Sequence, residues 1–133
     1  MAITTGRTAI LHRNDFLERF LTYNTVFQEF FKTMDLIDRG EALKYETYDR
    51  LINNFLLNLK IYGVHCSSFL EKEQLTNTLF EEKLNLYFIE LVESLKCLDT
   101  KNNQLDRSKM QLAQQKISDS GRAFVQIIDH NIS

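Results

Sequence analysis

A chain of 133 residues with no proline and only four glycines, Gly6, Gly40, Gly63 and Gly121, lacks the punctuation that hairpins, sandwiches and barrels require. Long uninterrupted elements are what such a chain can build, and helices are the elements that run long. Hydrophobic residues make up 44% of the sequence and charged residues 26%, with a net charge of −2. That is enough apolar material for one core and too little charge to hold the chain open. We expect one all-α domain, an antiparallel up-down bundle of about four helices over residues 14–133, preceded by an N-terminal arm over residues 1–13.

Residues at steps of three and four place the helices. The first opens at Asn14 or Asp15, with Asp15 and Glu18 at capping-box spacing, and carries Phe16, Leu17, Phe20, Leu21, Tyr23, Phe27, Phe30, Phe31, Met34 and Ile37 on its apolar stripe. Gly40 supplies its C-cap. The second begins near Glu41 or Ala42 after about two residues of connection, with Tyr45, Tyr48, Leu51, Ile52, Phe55, Leu59 and Tyr62 in register. Its period persists beyond Gly63 into Cys66, Phe69 and Leu70, so it either runs to about Lys72 or breaks at the glycine. The third starts at Thr76 or Thr78, where Thr78 and Glu81 have capping-box spacing, and runs to about Leu98 through Leu79, Phe80, Leu84, Tyr87, Phe88, Leu91, Val92 and Leu95. Residues 99–103 form a polar connector. The fourth carries Leu105, Met110, Ala113, Ile117, Phe124, Ile127 and Ile128, and the turn-forming run Ser118-Asp119-Ser120-Gly121 offers a kink or a split.

Two segments are more apolar than a bundle helix needs. Six of the eight residues 55–62 and seven of the nine residues 84–92 are apolar or aromatic, against about three positions per seven for a core-facing stripe. Leu56, Leu57, Ile61, Leu86 and Ile89 therefore point partly away from the seam. Either the chain's own ends cover them or they form an interaction surface. We expect the second: Leu57, Ile61, Leu86 and Ile89 as apolar contacts, with Glu82, Glu90 and Glu93 as an acidic rim able to steer a partner. Phe30 and Phe31 are adjacent, so one of them sits at the edge of the first helix's stripe.

Chemistry is sparse. There is no glycine-rich phosphate loop, nucleophile elbow or His-Glu-x-x-His. None of His12, His65 and His130 has a Glu three residues before it, as a di-iron bundle requires. His65 and Cys66 are adjacent but lack a second ligand nearby in sequence, and we expect Cys66 and Cys97 to be buried thiols. The pairs Glu90/Glu93 and Asp35/Asp38 share helix faces, where like charges at that spacing form solvated surface. We expect no enzyme activity, cofactor or metal.

Near the middle of its helix, His65 resembles the accepting histidine of the phosphotransfer domains of bacterial relays. There a Lys and a small residue follow in the pattern His-x-x-Lys-Gly, whereas here the run is His65-Cys66-Ser67-Ser68-Phe69, without the basic residue. The resemblance implies a sensor or relay as an alternative, using His65 or an internal pocket. A structural subunit of a larger assembly is another.

Charge is spread along the chain: +2 over residues 1–13, from Arg7 and Arg13, −2 over 14–40, zero over 41–63, −3 over 64–98 and +1 over 99–133. No stretch is basic enough for a nucleic-acid footprint. No run approaches the ~18 apolar residues of a membrane span, and residues 1–11 lack a signal peptide's apolar segment. Two cysteines do not make a disulfide framework. The expectation is a cytoplasmic module that binds another protein or a second copy of itself.

Overall fold

The computed structural model describes residues 6–132, with side chains over residues 11–128. Four helices dominate: α1 (Gly6–Asp38), α2 (Tyr48–Lys72), α3 (Leu79–Ser94) and α4 (Arg107–Ile132). One turn of 3-10 helix, Leu95–Cys97, follows α3 and leads into a two-stranded antiparallel ribbon, β1 (Leu98–Asp99) and β2 (Gln104–Leu105).

Cross-helix partners fix the directions. Along α1, His12, Phe16, Arg19, Tyr23 and Phe30 meet Glu73, Phe69, His65, Tyr62 and Phe55 in turn, so α2 runs antiparallel to α1. Phe16 and Asn24 meet Phe80 and Tyr87, so α3 runs parallel to α1. Phe124 packs on Phe16, Phe20 and Phe80 while Arg107 reaches Asp35 and Asp38, which makes α4 antiparallel to α1. The result is the up-down-up-down bundle expected from the short connections.

The core is strongly aromatic. Phe16, Phe20, Phe80 and Phe124 cluster with centroids 4.9–6.0 Å apart, and Phe69 stacks on Phe16 at 4.2 Å. Farther along, Tyr23 stacks on Tyr62 at 4.4 Å and Phe27 packs on Phe55 at 5.0 Å. Phe31 is buried, and Phe30 occupies the stripe's edge, half-buried against Phe55.

Element ends differ from the sequence expectations. Helix α1 opens at Gly6, not at Asn14 or Asp15, so Asp15 lies within the helix instead of capping it; residues 1–5 and the side chain of Arg7 lie outside the described residues. Gly40, at φ +71°, ends α1 as expected, with the Glu41 N–H donating to the Leu36 carbonyl. Residues 39–47 then form a longer connection than two residues. Helix α2 starts at Tyr48, where the Thr47 hydroxyl accepts from the Arg50 N–H, and Tyr45 is left exposed outside it.

Both glycine ambiguities resolve as continuous helix. A Cβ at Gly63 would meet nothing within 4 Å, so nothing there needs a glycine or a bend. At Gly121 a Cβ would lie 3.5 Å from Tyr87 Cε1 and 3.7 Å from Phe20 Cζ, ordinary contact distances, so α4 packs closely here with room for a methyl group. Asp119, expected to favour a turn, instead accepts from Gln115 and Arg122 along the α4 surface. At α3 Thr78 is the N-cap, its Oγ1 accepting from the Glu81 N–H, and Glu81 Oε1 accepts from the N–H of Asn77, one residue before the position a full capping box uses. The connector at 99–103 is the ribbon's turn, closed by Asp99 Oδ1 accepting from the N–H groups of Lys101 and Asn102. Leu105 lies on β2 and not on the fourth helix.

Candidate functional site

Leu57, Ile61, Leu86 and Ile89 are exposed, at 54%, 44%, 42% and 54% of their surface. The core is complete without them. Their arrangement follows from helical geometry at 3.6 residues per turn. On α2, Leu57 follows buried Phe55 by two residues and Val64 follows buried Tyr62 by two, so each lies about 200° from the core, and Ile61 continues that outward face. On α3, Phe88 turns toward α2, with its ring 5.5 Å from Tyr62. Leu86, two residues earlier, therefore sits on the flank away from α2. The expected single flank of α2 and α3 is in fact two outward faces. That of α3 combines Leu86 and Ile89 with Leu79, which is exposed although its spacing predicts a core position. Leu21 and Val92 are likewise exposed rather than core.

The acidic residues also divide. Glu90 is half-buried and shares a depression of about 200 Å³ between α3 and α4 with Lys96, Lys109 and Lys116. Glu93 Oε2 lies 2.6 Å from Lys96 Nζ. Glu82 stays exposed, without an ion pair among the described residues. Two of the three expected rim carboxylates thus lie beside lysines of their own chain.

A polar cleft of about 230 Å³ lies between α1 and α2, with Phe16 and Phe69 below and His12, Arg19, His65, Ser68, Lys72 and Glu73 around it. His12 Nδ1 donates to Glu73 Oε1 at 2.7 Å, and Arg19 Nη1 donates to His65 Nδ1 at 2.7 Å. The basic neighbour that His65 lacks in sequence thus comes from α1. It occupies the ring: the guanidinium can only donate, so His65 Nδ1 accepts from it and the lone pair on that nitrogen is taken. Sequence reading missed this group because its members lie 46 and 61 residues apart.

The thiols are buried as expected. Burial pushes Cys66 up to about 12, against a lowering contact from Tyr62, and Cys97 up to about 11. Both stay protonated at neutral pH and neither is an activated nucleophile. Burial likewise raises the Tyr62 and Tyr87 phenols, of which Tyr87 donates to Asn24 Oδ1 at 2.7 Å. Among the described residues, no three His, Cys, Asp or Glu side chains are placed to hold a metal ion, and no helix is long and apolar enough to cross a membrane.

Compared with known protein families, curated proteins and solved structures, the chain finds no match in any of the three. Its own residues carry the functional argument.

Proposed function

We propose that the chain is a non-enzymatic interaction module that binds another polypeptide through the outward apolar faces of α2 and α3. The observation that carries this reading is the placement of Leu57, Ile61, Leu86 and Ile89 in solvent while the four-helix core closes behind them. Isolated apolar side chains are common on protein surfaces, but aliphatic side chains at successive turns of one helix are the pattern by which a helix face docks a partner. The depressed reactivity of both thiols and the occupied ring of His65 give catalysis no comparable support.

The test uses the immobilised full chain and an extract of the cells that make it. Wild type should retain a protein that L86D/I89D or L57D/V64D fails to retain, with the helical circular dichroism of each variant unchanged. Retention independent of both faces, or none at all together with a monomeric chain, sinks the reading.

A further inference from the structure

We infer that the outer face of α2 pairs antiparallel with the same face of a second copy of this chain. The inference rests on the interaction-module reading and names the occupant of one of its two faces. Arg50, Leu57, Val64 and Glu71 recur at steps of seven along α2, with Lys60 and Ile61 between the two aliphatic residues. This spacing aligns the four residues along the side of α2 turned away from its own core, with a short apolar centre of Leu57, Ile61 and Val64 and polar residues, Asn53 and Ser67, on either side of it. Val64 is the most exposed large apolar side chain of the helix, at 64%.

Charge identifies the occupant. Between Asp49 and Glu71 the sequence has no acidic residue, so the middle of the face offers no carboxylate to a basic partner. At its ends the outer row carries Arg50 in the first turn and Glu71 in the last, with Asp49 and Lys72 beside them on the flanks of the helix. Arg50 and Glu71 are exposed, and among the described residues neither takes part in an ion pair; the Arg50 guanidinium instead lies 5.0 Å above the exposed Tyr45 ring. A two-fold interface requires that what one copy offers at one point the other answers at the symmetric point. Turning a second α2 end for end about Lys60 and Ile61 meets that requirement. Arg50 falls beside Glu71 at both ends, and Leu57 falls beside Val64 on both sides of the axis. Parallel pairing would set Arg50 against Arg50 and Glu71 against Glu71. At the axis, the Lys60 stem lies along the partner's aliphatic surface while its ammonium reaches water. Antiparallel helices also place opposite macrodipole ends together. With three aliphatic side chains per copy the dimer is weak, and its population rises with concentration.

Sedimentation velocity on the full chain over a micromolar concentration series tests this. Wild type should move from 15.7 kDa toward twice that mass. R50E alone and E71R alone should stay monomeric. An equimolar mixture of the two should dimerise again, because one variant then offers negative charge at both ends and the other positive charge at both ends; V64D should stay monomeric alone and in mixture. Circular dichroism checks that each variant keeps its helices. A wild type that is monomeric throughout, a dimer indifferent to R50E and E71R, or a mixture that fails to recover overturns the inference. If the monomeric chain still captures another protein through the α2 or α3 face, the interaction-module reading survives alone; if it captures nothing, both fall.

Discussion

Arg107 Nη2 lies 2.6 Å from Asp35 Oδ1 and 2.8 Å from Asp38 Oδ2, joining the start of α4 to the end of α1. The last turn of α1 has acids and no base, the unfavourable sign for that end of its dipole. The first turn of α4 has bases and no acid, and the Asp106 carboxylate just before it caps the helix by accepting from the Lys109 N–H. Across the helix pair, Arg107 supplies the positive charge that the end of α1 lacks. Arg39 adds a second contact to Asp35 at 3.0 Å.

This cluster makes stability pH-dependent in a defined direction. The Arg107 guanidinium, with Arg39 beside it, holds the Asp35 carboxyl below its ordinary 3.8. A lowered folded-state value means the contribution is complete above 3.8 and is lost as pH falls through the lowered value. The melting temperature of D35N should therefore lie below wild type at neutral pH, and the gap should close in acid. Thermal melts across a pH series check this, and a gap that stays constant into strong acid contradicts it.

Gly63→Ala should stabilise the protein by about 1 kcal/mol, because the helix interior gains propensity and the added methyl meets no atom within 4 Å. Urea unfolding measures it. A loss of stability would mean that α2 does bend at this position.

Gly121 separates two outcomes at one site. Alanine fits in ordinary contact with Tyr87 and Phe20 and should be tolerated, whereas Gly121→Leu must push those rings aside and should cost about 1–3 kcal/mol. Equal stability of the two variants would show that α3 and α4 are not closely packed there.

Leu84 and Leu86 are two residues apart and face opposite ways. Leu84→Asp buries a carboxylate in a position now 1% exposed and should unfold the domain, while Leu86→Asp should leave the helical circular dichroism and the melting temperature nearly unchanged. Unfolding by both would place Leu86 in the core.

Both thiols should resist a thiol reagent in the native protein and react fully after denaturation, since each is buried and held protonated by that burial. Rapid native labelling of either would mean that the helices around it open on the timescale of the assay.

Residue period alone placed much of the bundle. Phe16, Phe20, Phe27, Phe31 and Met34 line the buried side of α1, and Phe80, Leu84, Tyr87 and Leu91 that of α3, at the positions their spacing indicates. Legibility failed where a local signal had two readings. Tyr45 fits the period of α2 yet precedes the helix, because the Gly40 cap turns the chain out and Thr47 restarts it. Leu79 fits the period of α3 loosely but lies about 100° round the helix from buried Phe80 in the same turn, on the side that carries Leu86. At the candidate site the apolar excess was legible, whereas its division into two faces required knowing which side of α3 Phe88 turns toward α2.

The sequence by itself determined that the chain is helical, that it forms about four helices, and most of the side chains that line each core-facing row, Leu21, Leu79 and Val92 excepted. These follow from the absence of breakers and from a fixed angle per residue, both local properties. Only the tertiary structure decided that Gly63 and Gly121 lie within continuous helices, that Arg19 binds His65, that Arg107 bridges Asp35 and Asp38, and which aliphatic side chains remain in solvent. Apart from Gly63, which has no close neighbour, each of these depends on a partner tens of residues away, and spacing within one helix fixes a side chain's direction without fixing what stands opposite it.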